Sequence, residues 1–145
     1  MESSTQNQNE KIKILMIEDN LGDVRIVQEL LQDVEPNKFS ISSVDRISKG
    51  VEYLQANKTD VVLLDLSLPD SIGLNTLLKL KETSPLVPII ILVKSILKRP
   101  CLKEYLNGVE DYLIKGHMNG FTLKDSILNA IKRYEARGRL EANFL

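Results

Sequence analysis

The chain has 145 residues, 43% apolar and 27% charged, with a net charge of −1. That length suits one domain able to bury its own core, and the near-neutral charge gives no global attraction to nucleic acid or an anionic membrane. A single cysteine, Cys101, excludes an internal disulfide and fits a reducing cytosol, and no apolar run approaches the roughly 18 residues of a membrane span.

Residues 1–10, MESSTQNQNE, have neither a basic start nor an apolar stretch, so they read as a short disordered tail and not as a signal peptide. IKILMI, residues 12–17, reads as a strand. Val24, Val27, Leu30, Leu31 and Val34 then recur at helical spacing until Pro36 and Asn37 break the pattern. Phe39 and Ile41 alternate with serines, which predicts a less buried strand ending near Val44. Ile47, Val51 and Leu54 mark a second helix. Val61 to Leu64 form a run with no polar alternation, the pattern of a strand covered on both faces. Leu74, Leu77, Leu78 and Lys81 predict a third helix that stops before Pro85. Residues 88–93, PIIILV, are another unalternating strand. Leu102, Tyr105 and Leu106 lie on a fourth predicted helix, with Pro100 in its first turn and Gly108 beyond its end. Tyr112 to Ile114 form a short strand. Ile127, Leu128, Ile131 and Tyr134 carry a final helix capped by Thr122, and residues 138–145 extend or fray it.

Strand then helix, five times over, predicts an α/β fold: a doubly wound, five-stranded parallel sheet with helices on both faces and right-handed crossovers. In such sheets ligands bind beyond the carboxyl ends of the strands, where strand order reverses. Glu18, Asp19 and Asn20 follow the first strand, Asp65 the third and Lys115 the fifth. The second and fourth strands, followed by Asp45 and Lys94, offer little charge of use. With strand order 2-1-3-4-5, Glu18, Asp19 and Asp65 meet at the switch point with Lys115 near. Three carboxylates in one cleft repel each other, and a divalent oxygen-loving cation such as Mg²⁺ removes that cost. Metal and lysine together neutralise phosphoryl oxygens while a carboxylate attacks phosphorus.

Three segments, ILMIEDN, VVLLDLSLPDSIG and EDYLIKG, each at a strand's end and in this order, resemble the receiver domain of two-component response regulators over residues 11–137. The resemblance implies a flavodoxin-like fold and a signalling protein, not an enzyme beyond slow hydrolysis of its own phosphate. It makes Asp65 the phosphoacceptor, charged by a histidine kinase or phosphotransfer protein. Asp19 becomes a direct Mg²⁺ ligand and Glu18 a ligand through water. Asp65 itself and the backbone carbonyl of Ser67 complete the metal shell, and Lys115 pairs with the phosphoryl group. Pro69 and Gly73 match the turn after the acceptor, and Tyr112 stands at the aromatic switch position. The fourth strand departs from the pattern: Val93 replaces the usual Thr or Ser, and Lys94 replaces a small residue. The lost hydroxyl is worth about 1.5–3 kcal/mol to a charged oxygen, the size of a typical switching equilibrium. Three substitutes for it are Ser95 reached by a loop rearrangement, Lys94 itself, or a relay role with weak switching. Gly116 after Lys115 predicts a trans peptide bond.

The resemblance implies a cytoplasmic protein that meets downstream partners, or a second copy of itself, through the fourth helix, fifth strand and last helix, including Lys98, Arg99, Lys103 and Tyr112. No output domain or DNA-reading motif is visible, so neither DNA nor membrane is an expected partner. A degenerate receiver that docks without phosphorylation is the alternative, motivated by Val93 and Lys94. A flavin domain is disfavoured by Glu18 and Asp19, which repel a phosphate, and a haloacid-dehalogenase-type hydrolase by the absence of DxD. Asp70 reads as a solvated turn residue, His117 as a surface residue and Cys101 as a passive helix residue. Lys132, Arg133, Arg137 and Arg139 read as offsetting the last helix's C-terminal dipole, with partner docking as the alternative. Phe144 and Leu145 read as exposed apolar bulk.

Overall fold

Unalternating aliphatic runs become the inner strands of a sheet because each successive side chain enters a different core. The computed structural model describes residues 10–83, 87–94 and 109–144, with side chains to residue 138. Strands β1 (Ile12–Ile17), β2 (Phe39–Val44), β3 (Val61–Asp65), β4 (Ile89–Val93) and β5 (Asp111–Ile114) form one parallel sheet in the order 2-1-3-4-5. Leu15, Ile17, Val62, Leu64, Ile89, Ile91 and Val93 point to one face, where they pack with Ile47 of α2 (Ile47–Ala56) and Leu77 and Leu80 of α3 (Leu74–Thr83). Ile14, Met16, Val61, Leu63, Ile90 and Leu92 point to the other. There they meet Val24, Val27 and Leu31 of α1 (Leu21–Val34) and Leu123, Ile127 and Ala130 of the C-terminal helix (Gly120–Phe144). The predicted fourth helix, with Leu102, Tyr105, Leu106, Cys101, Ser95, Lys98, Arg99 and Lys103, lies outside the described residues, as do residues 1–9 and Pro85 and the side chains of Arg139, Phe144 and Leu145.

β2 is only half-buried along its length, as its serine alternation predicts, and Asn37 before it takes a positive φ of 67° in the turn. After β3 the chain folds into a two-stranded ribbon, Ser67–Leu68 against Ser71–Ile72, closed by Gly73. Gly73 sits at φ 69°, a conformation that favours glycine, and its N–H donates to the Leu66 carbonyl at 2.7 Å.

Three local expectations are corrected. Leu78 is not part of the buried stripe of α3: it is 49% exposed, and Thr76, Leu77 and Leu80 are buried instead. The Thr76 hydroxyl donates to Ser71 Oγ at 2.8 Å, which fixes the helix's rotation so that Leu78, about 100° further round from Leu77, faces outward. The C-terminal helix is capped by Asn119 and not by Thr122. Asn119 Oδ1 accepts the Thr122 N–H and Thr122 Oγ1 accepts the Asn119 N–H, both at 3.0 Å, so Thr122 is the return half of a reciprocal box. That helix runs on to Phe144 with no basic residue in its last turn, so Arg133 and Arg137 lie short of the end where its dipole acts. Arg133 and Arg137 instead bind Glu110 just ahead of β5, Arg133 Nη2 donating to its carbonyl at 2.9 Å and Arg137 Nη1 to its carboxylate at 3.1 Å.

Asp70 is exposed in a turn, as expected. It is a cap as well as a turn residue. Arg46, the N-cap residue of α2, makes no side-chain cap, and the two Asp70 carboxylate oxygens take the Ile47 and Ser48 N–H groups at 2.9 and 3.1 Å. Partial burial pushes the Asp70 carboxyl up, but these N–H donors outweigh it and hold it below its ordinary value. Asp70→Ala is expected to cost about 1 kcal/mol, measured as a lower urea midpoint at unchanged slope. A larger effect is expected at Gly120. A Cβ there would lie 2.5 Å from Val34 Cγ1 and 2.7 Å from the Leu30 carbonyl oxygen, a backbone atom with little freedom to retreat. Gly120→Ala is expected to destabilise by about 1–3 kcal/mol in the same measurement.

Candidate functional site

The sheet register brings the acids together. Ile17 of β1 pairs with Leu64 of β3, so the residues immediately following, Glu18 and Asp65, are neighbours. The Glu18 N–H donates to the Val44 carbonyl at 2.9 Å, which holds the exit of β1 against β2. On the other side Val93 pairs with Ile114, and the Lys115 N–H donates to the Val93 carbonyl at 2.8 Å. Lys115 therefore leaves the sheet two strands away from Asp65, and its long side chain reaches back across the end of β4.

Glu18 is 1% exposed and Asp65 4%, while Asp19 is exposed at the rim. Each offers a carboxylate oxygen, and these oxygens lie within 4.8 Å of one another. The Lys115 ammonium binds Glu18 Oε1, and it also donates to Asp23 Oδ2 at 2.9 Å and to Asp65 Oδ2 at 3.5 Å. The other Asp65 oxygen, Oδ1, accepts the Ser67 N–H at 2.9 Å. Asp65 thus stands at a strand end with both oxygens engaged, one by backbone and one toward an ammonium, which answers how a carboxylate is tolerated directly after four buried aliphatic residues.

Burial, together with the neighbouring Asp65 carboxyl, pushes the Glu18 carboxyl up to about 7 against the pull of Lys115. Burial alone would lower the Lys115 ammonium, but its bonds to Glu18 and Asp23 raise it above its ordinary value. The two shifts agree physically: three carboxylates share one ammonium, so the lysine stays charged while the most buried acid tends to keep a proton. A divalent cation beside these oxygens would supply the missing positive charge, and hard carboxylate oxygens are the donors that Mg²⁺ takes. The donor set fits such an ion.

The remaining expected positions lie in the ribbon after β3, at the end of β4 and along β5 and the turn after it. Ser67 is exposed in the ribbon, and Val93 is buried at the end of β4, with Lys94 exposed beyond it. Tyr112 is partly buried and, like Ile114, packs against the apolar cluster that contains Val93. No described peptide bond is cis, so Lys115–Gly116 is trans. His117 is exposed, with its N–H donated to the Ile114 carbonyl at 2.9 Å. Sequence reasoning passes over Asp23. Its signal is the start of α1: Asn20 caps the helix, its Oδ1 accepting the Asp23 N–H at 3.1 Å, and that spacing puts an acid on the first turn, facing the cleft.

The family described as the response regulator receiver domain matches residues 14–127. The two-component response regulator ORR1 of Oryza sativa subsp. japonica is 31% identical over 112 residues, covering 71% of this chain and 48% of that protein. The uncharacterized transcriptional regulatory protein YclJ of Bacillus subtilis is 32% identical over 128 residues, covering 88% of this chain and 54% of that protein. The chain thus spans about half the length of these curated relatives. A CheY-like response regulator receiver domain protein from Methanospirillum hungatei shares the fold at a TM-score of 0.74 and 18% identity, over 88% of this chain and 99% of that one. With the parallel order 2-1-3-4-5 and the acids gathered at its switch point, the match places this chain in the response regulator receiver domain family of two-component signalling.

Proposed function

We propose that the chain accepts a phosphoryl group on Asp65 from the phosphohistidine of a sensor kinase or phosphotransfer protein, with Mg²⁺ held by Asp19, Asp65, the Ser67 carbonyl and, through water, Glu18. The observation that carries this reading is the placing of Asp65, 4% exposed between two further carboxylates and the Lys115 ammonium. Mg²⁺, when bound, supplies positive charge that offsets the acids and the oxygens of the incoming group. An Asp65 oxygen attacks phosphorus, a P–O bond forms, the P–N bond to the donor imidazole breaks, and the imidazole leaves as the neutral ring after taking up a proton. The Ser67 N–H holds one carboxylate oxygen and so limits how the Asp65 side chain turns. Lys115, already within 3.5 Å of Asp65, moves its third donor from that carboxylate to a phosphoryl oxygen.

The output is a protein contact, not a chemical product. Val93 leaves no hydroxyl to grip the phosphoryl group, so coupling to Tyr112 is weaker than in a receiver with Thr or Ser at that position. That same hydrocarbon end of β4 favours a second reading, docking without phosphorylation. The acid cluster, with two of its three carboxylates buried, weighs against it, since three like charges are costly in a module that never uses them.

The test is intact-mass analysis after incubation with acetyl phosphate, with Mg²⁺ or with a chelator, followed by peptide mapping. The expected result is one phosphoryl adduct at Asp65 that disappears with the chelator. A folded protein that takes up phosphate from neither acetyl phosphate nor a panel of phosphorylated histidine donors would support the docking module instead.

A further inference from the structure

We propose that Asp23 is a positioning residue that limits how strongly the site takes up a phosphoryl group, by drawing the Lys115 ammonium toward α1 and fixing a negative charge beside it. The proposal rests on Asp65 being the acceptor.

An ammonium has three N–H donors, and here all three have carboxylate partners: Glu18, Asp23 at 2.9 Å and Asp65 at 3.5 Å. The contact to Asp65 is the longest of the three, so the lysine rests nearer the wall formed by Glu18 and α1 than the acceptor. Asp23 is held there by its own backbone, whose N–H is bonded to the capping Asn20. Its side chain is 24% exposed, while that of Lys115 is 9% exposed, so the pair lies at the edge of the cleft with little water between them. Glu18, 1% exposed, already anchors the ammonium from the other side. Lys115 therefore does not need Asp23 for its orientation, and the distinctive contribution of Asp23 is its charge. Phosphorylation of Asp65 replaces one negative charge with nearly two, spread over oxygens that Lys115 must reach. Asp23 competes for that ammonium and repels those oxygens. An asparagine at position 23 keeps an oxygen to accept from Lys115 and removes only the charge.

The experiment titrates beryllofluoride, whose beryllium takes an Asp65 oxygen as its fourth ligand in place of water, at fixed Mg²⁺ by ¹⁹F NMR. The wild type is compared with Asp23→Asn, Asp23→Ser and Asp23→Glu, each first shown to be folded by its thermal transition. Asp23→Asn is expected to lower the half-saturating concentration by about three- to tenfold, the effect of one charge at short range in a partly screened cleft. Asp23→Ser is expected to shift it in the same direction, and Asp23→Glu to return it toward the wild-type value. With acetyl phosphate the same Asp23→Asn protein is expected to show a lower half-saturating concentration at an unchanged maximal rate. Unchanged or weaker beryllofluoride binding in both neutral variants, beside a wild type that binds, would overturn the role of Asp23 alone. A wild type that itself binds no beryllofluoride would overturn the acceptor reading, and the proposal with it.

Discussion

Asp65→Asn is expected to lose the phosphoryl adduct and to gain stability at the same time. The loss follows from the chemistry. An amide oxygen is a far poorer nucleophile than a carboxylate, and uptake is expected to fall by at least about a hundredfold. The gain follows from the electrostatics of the cleft. Asp65 is 4% exposed beside Glu18, and its carboxyl is one of the reasons Glu18 is hard to ionise. An amide keeps an oxygen to accept the Ser67 N–H and removes one of the mutually repelling charges. It also gives up the Lys115 contact, but at 3.5 Å that is the weakest of the lysine's three. The metal-free variant is therefore expected to be about 1–3 kcal/mol more stable than the wild type near pH 8. Intact mass reads the first effect and urea denaturation the second. A variant that loses the adduct because it is destabilised would refute the account of Asp65 as a residue kept for chemistry at a cost in stability.

Much of this arrangement is legible in the sequence because it depends on strand ends. VVLLD and PIIILV have no polar alternation, and the two cores built by alternate residues of β3 and β4 follow directly from that. Once strands one and three are neighbours, Glu18 and Asp65 must meet, and the register of Ile17 with Leu64 is what brings them together. What the sequence does not show is a side chain doing work for a distant segment. Asp70 looks like an ordinary turn residue, yet it caps a helix that begins 23 residues earlier. Asp23 looks like the polar face of an amphipathic helix, yet its partner Lys115 lies 92 residues away. Arg133 and Arg137 look like dipole partners until the helix proves to continue past them to Phe144 and Glu110 proves to lie within their reach. Leu78 fails for a related reason. A helix's rotation is set by its best-anchored residue, and in α3 that anchor is Thr76 on Ser71, a pair that hydrophobic periodicity does not weigh.

The metal-free protein is expected to lose stability as pH rises from about 4.5 to 7, and added Mg²⁺ is expected to cancel much of that loss. The sign comes from Glu18. Its carboxyl titrates near 4.5 when unfolded and near 7 when folded, because burial and the Asp65 carboxyl outweigh Lys115. The folded chain therefore holds a proton that the unfolded chain releases, and stability falls with pH across that window by up to about 1.4 kcal/mol per unit, or roughly 3 kcal/mol in all. Other shifted groups fall outside the window. The Asp70 carboxyl is depressed below 3.8, so its stabilisation is lost only as pH falls through its folded value. Lys115 is raised above 10.5, so its stabilisation is lost only in strong alkali. A cation that binds the ionised acids of the folded state and not the unfolded chain adds stability by mass action, and it does so most where Glu18 must give up its proton. The measurement is urea denaturation from pH 4.5 to 8.5 in chelator and in millimolar Mg²⁺. A falling curve in chelator that flattens with Mg²⁺ and is shallower in Asp65→Asn is the expected result. Stability in chelator that is flat or rises across the same interval would mean that Glu18 is ionised in the folded protein and that Lys115 alone satisfies the cluster.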